Sequence, residues 1–260
     1  MVTLGRVTAR RNSGEVTYAP AMTILDVLRG DPASRPLTDD STPLALRARL
    51  EAAVGEREEA LIVRAPRAES TGLASSAGRM RGILVHELVR LAAAGYDWRN
   101  PAVDALAAWR ANGPRELVED LARLDGDERA ALRADVEAHA VVLRRTLGTL
   151  PPNWLPRSAV RSCVALAGGR LILVDVVDLM AGIVGPRASV ALIDVTSAPL
   201  SADAEDRVAY HALVQTLRTS RVPLASAMVS TATGDVLSLA VDDDLLERAA
   251  SSVCAHIEVP

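Results

Sequence analysis

The chain reads as an α/β fold: a mixed central sheet flanked by helices, with a helical insertion. Three observations predict it. Residues 41 to 148 carry mostly helical periodicity. After a break at "TLPPNW" (149–154) the texture turns to short β-rich runs. From there the elements come in the order β-β-β-α-β-β-α, which asks for one sheet with helices packed on it rather than two independent domains.

Each element has its own signal. "EVTYAP" reads as a short strand, "MTILDVLRG" as a helical turn or strand, and "DPASRPLTDDSTP" as a connector rich in Pro, Asp and Ser. Ser41 as N-cap, with Pro43 in the first turn, opens a helix over "STPLALRARLEAAVGEREEA". The apolar run in "ALIVRAP" has the length of a strand. Ser75 to Ala94 is an amphipathic helix stopped by Gly95. "PAVDALAAWRANG", "PRELVEDLARL" and "GDERAALRADVEAHAVVLRRTLG" are three further helices.

"SAVRSCVAL" and "RLILVDVVDLM" form a hairpin across Gly168 and Gly169, and a loop around Gly185 and Pro186 leads to "ASVALIDVTS". A helix follows over "SADAEDRVAYHALVQTLRTS", then a second hairpin turning at "TGD". The closing helix, "DDDLLERAASSVCAHI", has acids in its first turn, where the dipole favours them. The whole of 1–260 is therefore expected to be one domain. It has a mixed N-terminal segment (1–70), a helical insertion (101–150) and a sheet core (155–245).

A chain of 260 residues that is 49% hydrophobic buries a core without disulfide or metal support. Its net charge of -4 lays down no global basic footprint for nucleic acid, but leaves room for a local arginine-lined groove. There is no lysine, so all 29 basic residues are arginine, and any mechanism that needs a lysine is excluded. Cys163 and Cys254 are too few for a disulfide framework, a four-cysteine zinc site or an iron–sulfur cluster. Both are expected to be buried thiols in a reducing, cytoplasmic compartment. "MVTLGRVTARRNSGE" lacks the apolar core of a signal peptide. No run approaches the roughly 20 apolar residues of a membrane span, so no membrane partner is expected.

Three residues stand out by position. His86 lies on the helix "GRMRGILVHELVRLAA", four residues after Gly82. Asp178 lies in "LILVDVVDLMAG", and Asp194 ends the next strand, "VALIDVTS". Carboxylates at the ends of adjacent strands, with a histidine from a covering helix, form a donor set for a hard cation such as Mg²⁺ or Mn²⁺. Such an ion would activate water and neutralise a phosphodiester in the transition state. "HEL" at His86 is no metalloprotease motif, because position 90 is Arg instead of a second His.

These motifs in this order resemble the PD-(D/E)XK nuclease superfamily, in its RecB-like branch: "GILVH", "VVDLMAG", "LIDVTSA", then a helix bearing Tyr210 and Gln215. The resemblance covers roughly residues 75 to 245 and implies a restriction-endonuclease-like sheet acting on DNA. It implies catalytic roles for His86, Asp178, Asp194 and the position of Thr196. The metal would sit on His86, Asp178, Asp194 and the Val195 carbonyl. Nucleic-acid contacts would come from Tyr210 and Gln215, together with Arg207 and His211, which share a polar face of that helix.

The departures bear on activity. Thr196 stands where the family has its lysine, Val176 where it has a glycine before the first acid, and Ala198 where a glycine closes the motif. A hydroxyl carries no charge, and losing one such stabiliser costs about 3 kcal/mol of transition-state energy. Arg207 or His211 would have to supply the charge. The expected function is thus metal-dependent phosphodiester hydrolysis, weakened or altered by the missing lysine. The alternative is an inactive pseudo-nuclease serving as a nucleic-acid-binding or scaffold subunit of a larger complex. Each residue also has a plainer reading: His86 as a half-buried helix histidine, Asp194 as a turn cap, Tyr210 as core. Asp175 competes with Asp178 from the opposite face of the same strand.

Overall fold

The computed structural model describes residues 7–10, 16–19, 41–66, 76–184 and 190–258. "MTILDVLRG", most of the connector after it and the loop at Gly185 and Pro186 lie outside the described residues. The strands are β1 (Val7–Arg10), β2 (Val16–Ala19), β3 (Leu61–Arg64), β4 (Arg157–Leu166), β5 (Leu171–Ala181), β6 (Ala191–Thr196), β7 (Ala225–Ser230) and β8 (Val236–Leu239). The helices are α1 (Thr42–Val54), α2 (Ser76–Ala93), α3 (Pro101–Asn112), α4 (Arg115–Arg123), α5 (Gly126–Leu147), α6 (Ala204–Thr219) and α7 (Asp243–Glu258).

One mixed sheet runs in the order β2-β1-β8-β7-β6-β5-β3, with β4 paired to β5 outside that path. β4, β5 and β6 form an antiparallel meander. α6 then carries the chain across to β7, which lies parallel to β6, as a parallel pair requires. The expected α/β class, with its mixed sheet, flanking helices and helical insertion, is the observed one.

Helices cover both faces. On one side α1, α6 and α7 pack Leu50, Leu213 and Leu246 onto Leu171, Leu173 and Met228 of the sheet. On the other, the insertion and α2 bring Leu84, Leu88, Val136 and Leu143 against Ile193, Val195 and Val229. β6 and β7 are therefore buried on both faces, which is why they read as nearly continuous apolar runs. Alternation along β6 sends Ile193 and Val195 into the second core and turns Asp194 towards α6. α5 starts with a capping box, in which the Asp125 carboxylate accepts from Glu128 N–H and Glu128 returns the bond to Asp125 N–H.

The hairpin turn between β4 and β5 uses Gly168 and Gly169 at φ 66° and 93°, the left-handed region that glycine tolerates. The expectation of two buried thiols is corrected here: Cys163 is exposed and Cys254 is half-buried. Strand alternation on β4 buries Ser162 and Val164 and turns Cys163 outward, towards the side on which Val176 is 42% exposed.

β4 occupies one edge of β5 along most of its length. On the opposite edge β3 pairs with Leu171 to Val174, and β6 with Leu179 to Ala181. Between them the sheet forks. Among the described residues no strand covers residues 175 to 178 on that edge, and Asp175 and Asp178 stand at the two ends of the gap.

Candidate functional site

The polar side chains at the fork replace the missing ladder bonds. Asp178 Oδ2 accepts from the Val195 N–H at 2.8 Å, tying β5 to β6 where backbone pairing has stopped. On the β3 side, the Tyr210 hydroxyl lies 2.9 Å from the Val63 carbonyl and 3.2 Å from that of Val174. Backbone groups buried without partners are costly, so a fork in a buried sheet calls for such substitutes.

α6 fills the gap from one face. Arg207, Tyr210 and His211 are three and four residues apart and point the same way. His211 Nδ1 is 2.7 Å from Asp175 Oδ1 and its Nε2 is 3.5 Å from Asp194 Oδ2. Arg207 Nε approaches the same Asp194 oxygen at 2.6 Å. Asp194 is only 1% exposed, and its Oδ1 has no hydrogen-bond partner among the described residues.

The electrostatics follow. Burial works against charge on His211, but the hydrogen bonds and charges of Asp175 and Asp194 outweigh it and push the ring up to about 9. At neutral pH it is an imidazolium that donates from Nδ1 to Asp175, while its Nε2 faces Asp194 at ion-pair distance without a hydrogen bond. Burial also opposes ionisation of Asp194. His211 first, then a hydrogen bond with Asp178 and the charge of Arg207, overcome it and hold this carboxyl well below the usual range. Asp178 goes the other way: burial first, then the charge of Asp194, pushes it up to about 6, with His86 opposing.

On the other side of the sheet, His86 on α2 places Nδ1 3.1 Å from Asp178 Oδ1. Burial lowers the basicity of His86, and the Asp178 bond and charge more than restore it. α2 passes close over the end of β6, and a Cβ at Gly82 would meet Ser197 Oγ at 3.4 Å. A cavity of about 230 Å³ opens beside the His86–Asp178 pair, lined also by Ile83, Trp109, Ser158 and Ala159.

The residues singled out from sequence therefore fall into two groups. His86 and Asp178 face the cavity. Asp194, Arg207, His211, Tyr210 and Gln215 lie on the α6 side; Tyr210, His211 and Gln215 are buried, with the Tyr210 hydroxyl, His211 Nδ1 and Gln215 Oε1 engaged inside the fold. Gln215 Oε1 accepts from Arg218, and its amide nitrogen has no partner among the described residues. Thr196 uses its hydroxyl on the turn after β6, where Oγ1 accepts from the Ala198 N–H at 3.1 Å.

Sequence reasoning set Asp175 aside. Its signal was present, because Asp175 follows Leu171 and Leu173 at spacing two, on the core face. A buried acid there requires a cationic partner. The partner, His211, lies 36 residues away and is visible only in the fold.

The donor set fits a divalent cation poorly. Both Asp178 oxygens, His86 Nδ1 and Asp194 Oδ2 are engaged, and Asp194 Oδ1 has no hydrogen-bond partner among the described residues. Among the described residues no group of three His, Cys, Asp or Glu side chains is placed to hold a metal. The charges already balance, with Asp175 and Asp194 set against His211 and Arg207. A dication would meet two fixed cations, Arg207 and His211.

No protein-family model matches the chain, and no curated protein matches it. No described helix is long and apolar enough to cross a membrane.

Proposed function

We propose that this chain is a nuclease-like protein that binds nucleic acid without cutting it, in the manner of a PD-(D/E)XK fold whose metal centre has become a structural ion network. The observation that carries the reading is the state of Asp194. The carboxylate that the motif would give to a metal is neutralised by Arg207 and His211 and sealed in the core. Thr196 supports it, since the residue at the position of the motif's cation is uncharged and caps a turn. The fork itself supports the resemblance. A meander followed by a crossover helix and a parallel strand brings the two motif acids together, as the PD-(D/E)XK resemblance requires.

The test is incubation with labelled single- and double-stranded DNA in Mg²⁺ and in Mn²⁺, beside Asp194→Ala, with binding read by anisotropy. Binding without cleavage is expected. Cleavage that Asp194→Ala abolishes would overturn the reading. It would establish instead a weakened metal-dependent phosphodiesterase, which the unpartnered Asp194 Oδ1 favours as a second reading.

A further inference from the structure

The cavity at His86 and Asp178 opens apart from the α6 network, although Asp178 still feels the charge of Asp194 through the gap. It lies on the opposite side of the sheet, and Asp194 does not line it. Its volume, about 230 Å³, equals roughly eight waters at their liquid volume, room for one flat heteroaromatic ring system. The Trp109 indole and Ile83 supply apolar walls, and Trp109 Nε1 is buried with no hydrogen-bond partner among the described residues. His86 and Ser158 add polar atoms at the edge.

The β4 backbone opens at the same place. Ala159 takes φ 48°, which a side chain other than glycine adopts at a cost. The β4–β5 ladder pairs Ser158 with Leu179 and Val160 with Val177, and skips the position between them. That position is Asp178, so β5 is released here from both neighbouring strands.

Charge selects the class of ligand. Inside the cavity Glu87 is met by Arg90 Nε at 2.9 Å, and Asp178 is met by His86. The interior is therefore close to neutral and suits an uncharged ring rather than a phosphate. Exposed arginines flank it. Arg79 precedes Ile83 by one helical turn, Arg110 follows Trp109, and Arg161 lies two residues beyond Ala159 on β4. None of these three makes an ion pair among the described residues.

We propose that this cavity is a base pocket for one unpaired nucleotide of a single strand. The ring stacks on Trp109, His86 and Ser158 meet its edge, and Arg79, Arg110 and Arg161 take the flanking phosphates. The proposal rests on the reading that the chain binds nucleic acid, and adds which form it takes and where.

The test measures anisotropy of a labelled single-stranded oligonucleotide, as DNA and as RNA, against the matched duplex at one fixed salt concentration. Stacking of a single base on an aromatic side chain predicts a loss of about tenfold or more for Trp109→Ala, with Trp109→Phe retaining most of the affinity. An oligonucleotide with abasic residues should lose as much, and Trp109→Ala should add nothing further on that strand. This non-additivity would not arise from a merely structural tryptophan. If single strands bind but neither Trp109→Ala nor removal of the bases matters, the pocket assignment is wrong and the nucleic-acid reading stands. If no nucleic acid binds even at low salt, both fall. Whichever of DNA and RNA binds more tightly names the source of the base.

Discussion

Arg207 Nε stands 2.6 Å from Asp194 Oδ2, holding a guanidinium against a carboxylate that water does not reach. That pair ties α6 to the end of β6. It also decides what this carboxylate can do, because an acid compensated from inside the fold has little left for an ion from outside.

Asp194→Asn should destabilise the protein by about 3 kcal/mol or more, since it leaves the buried His211 cation and the partly exposed Arg207 facing a neutral amide. Arg207→Ala should cost less, because the Arg207 side chain is 28% exposed and water can partly replace it. Urea unfolding of the two variants and the parent checks both. A change below 1 kcal/mol for Asp194→Asn would mean that the network is not formed in solution.

Stability should depend on pH through His211. Its folded value of about 9 lies above the ordinary 6.5. The stabilisation it provides is therefore complete below pH 6.5 and is lost as pH rises through 9. Asp178, raised from 3.8 to about 6, has the same sign in a lower window, and what it provides is lost as pH climbs through 6. Asp194 is depressed, so its share is present above about 4 and is lost on acidification. Melting temperatures across pH 6 to 9.5 should fall for the parent and fall less for His211→Gln; parallel curves would contradict an ionised His211.

Thr196→Lys should not restore cleavage. A lysine there would add a third cation beside Arg207 and His211. It would also remove the hydroxyl that accepts from the Ala198 N–H, at a cost of about 1 kcal/mol. Gel assays in Mn²⁺ read the first effect and urea midpoints the second. Strong cleavage would show that the groove had kept everything but its lysine.

Gly82→Ala should be tolerated. Its Cβ would sit in ordinary contact with Ser197 Oγ, and alanine within a helix gains about 0.5–1 kcal/mol over glycine. A loss of stability instead would show that α2 and the turn after β6 approach more tightly than 3.4 Å allows.

Much of the fold was legible in the sequence because local physics decides it. The Gly168–Gly169 turn, the apolar runs of β5 and β6 and the periodicity of the insertion need no long-range information. The acids were legible as residues too costly to place idly at the ends of apolar strands. Their partners were not. Asp175 was passed over in favour of Asp178, although both are structural ends of one gap. The helix periodicity puts Tyr210 and Gln215 on α6, but only the fold shows that both are buried. Cys163 was taken for a buried thiol, because hydropathy does not say which face of an outer strand is left open.

The sequence by itself determined the α/β class, the order of elements, the absence of any lysine chemistry and the placing of Asp178 and Asp194 on adjacent strands. Only the tertiary structure decided what those acids do. Whether Asp194 meets a metal or a guanidinium depends on which face of α6 lies across the fork, and on strands that part between Val174 and Leu179. Both are set by packing between segments tens of residues apart, which no local pattern encodes.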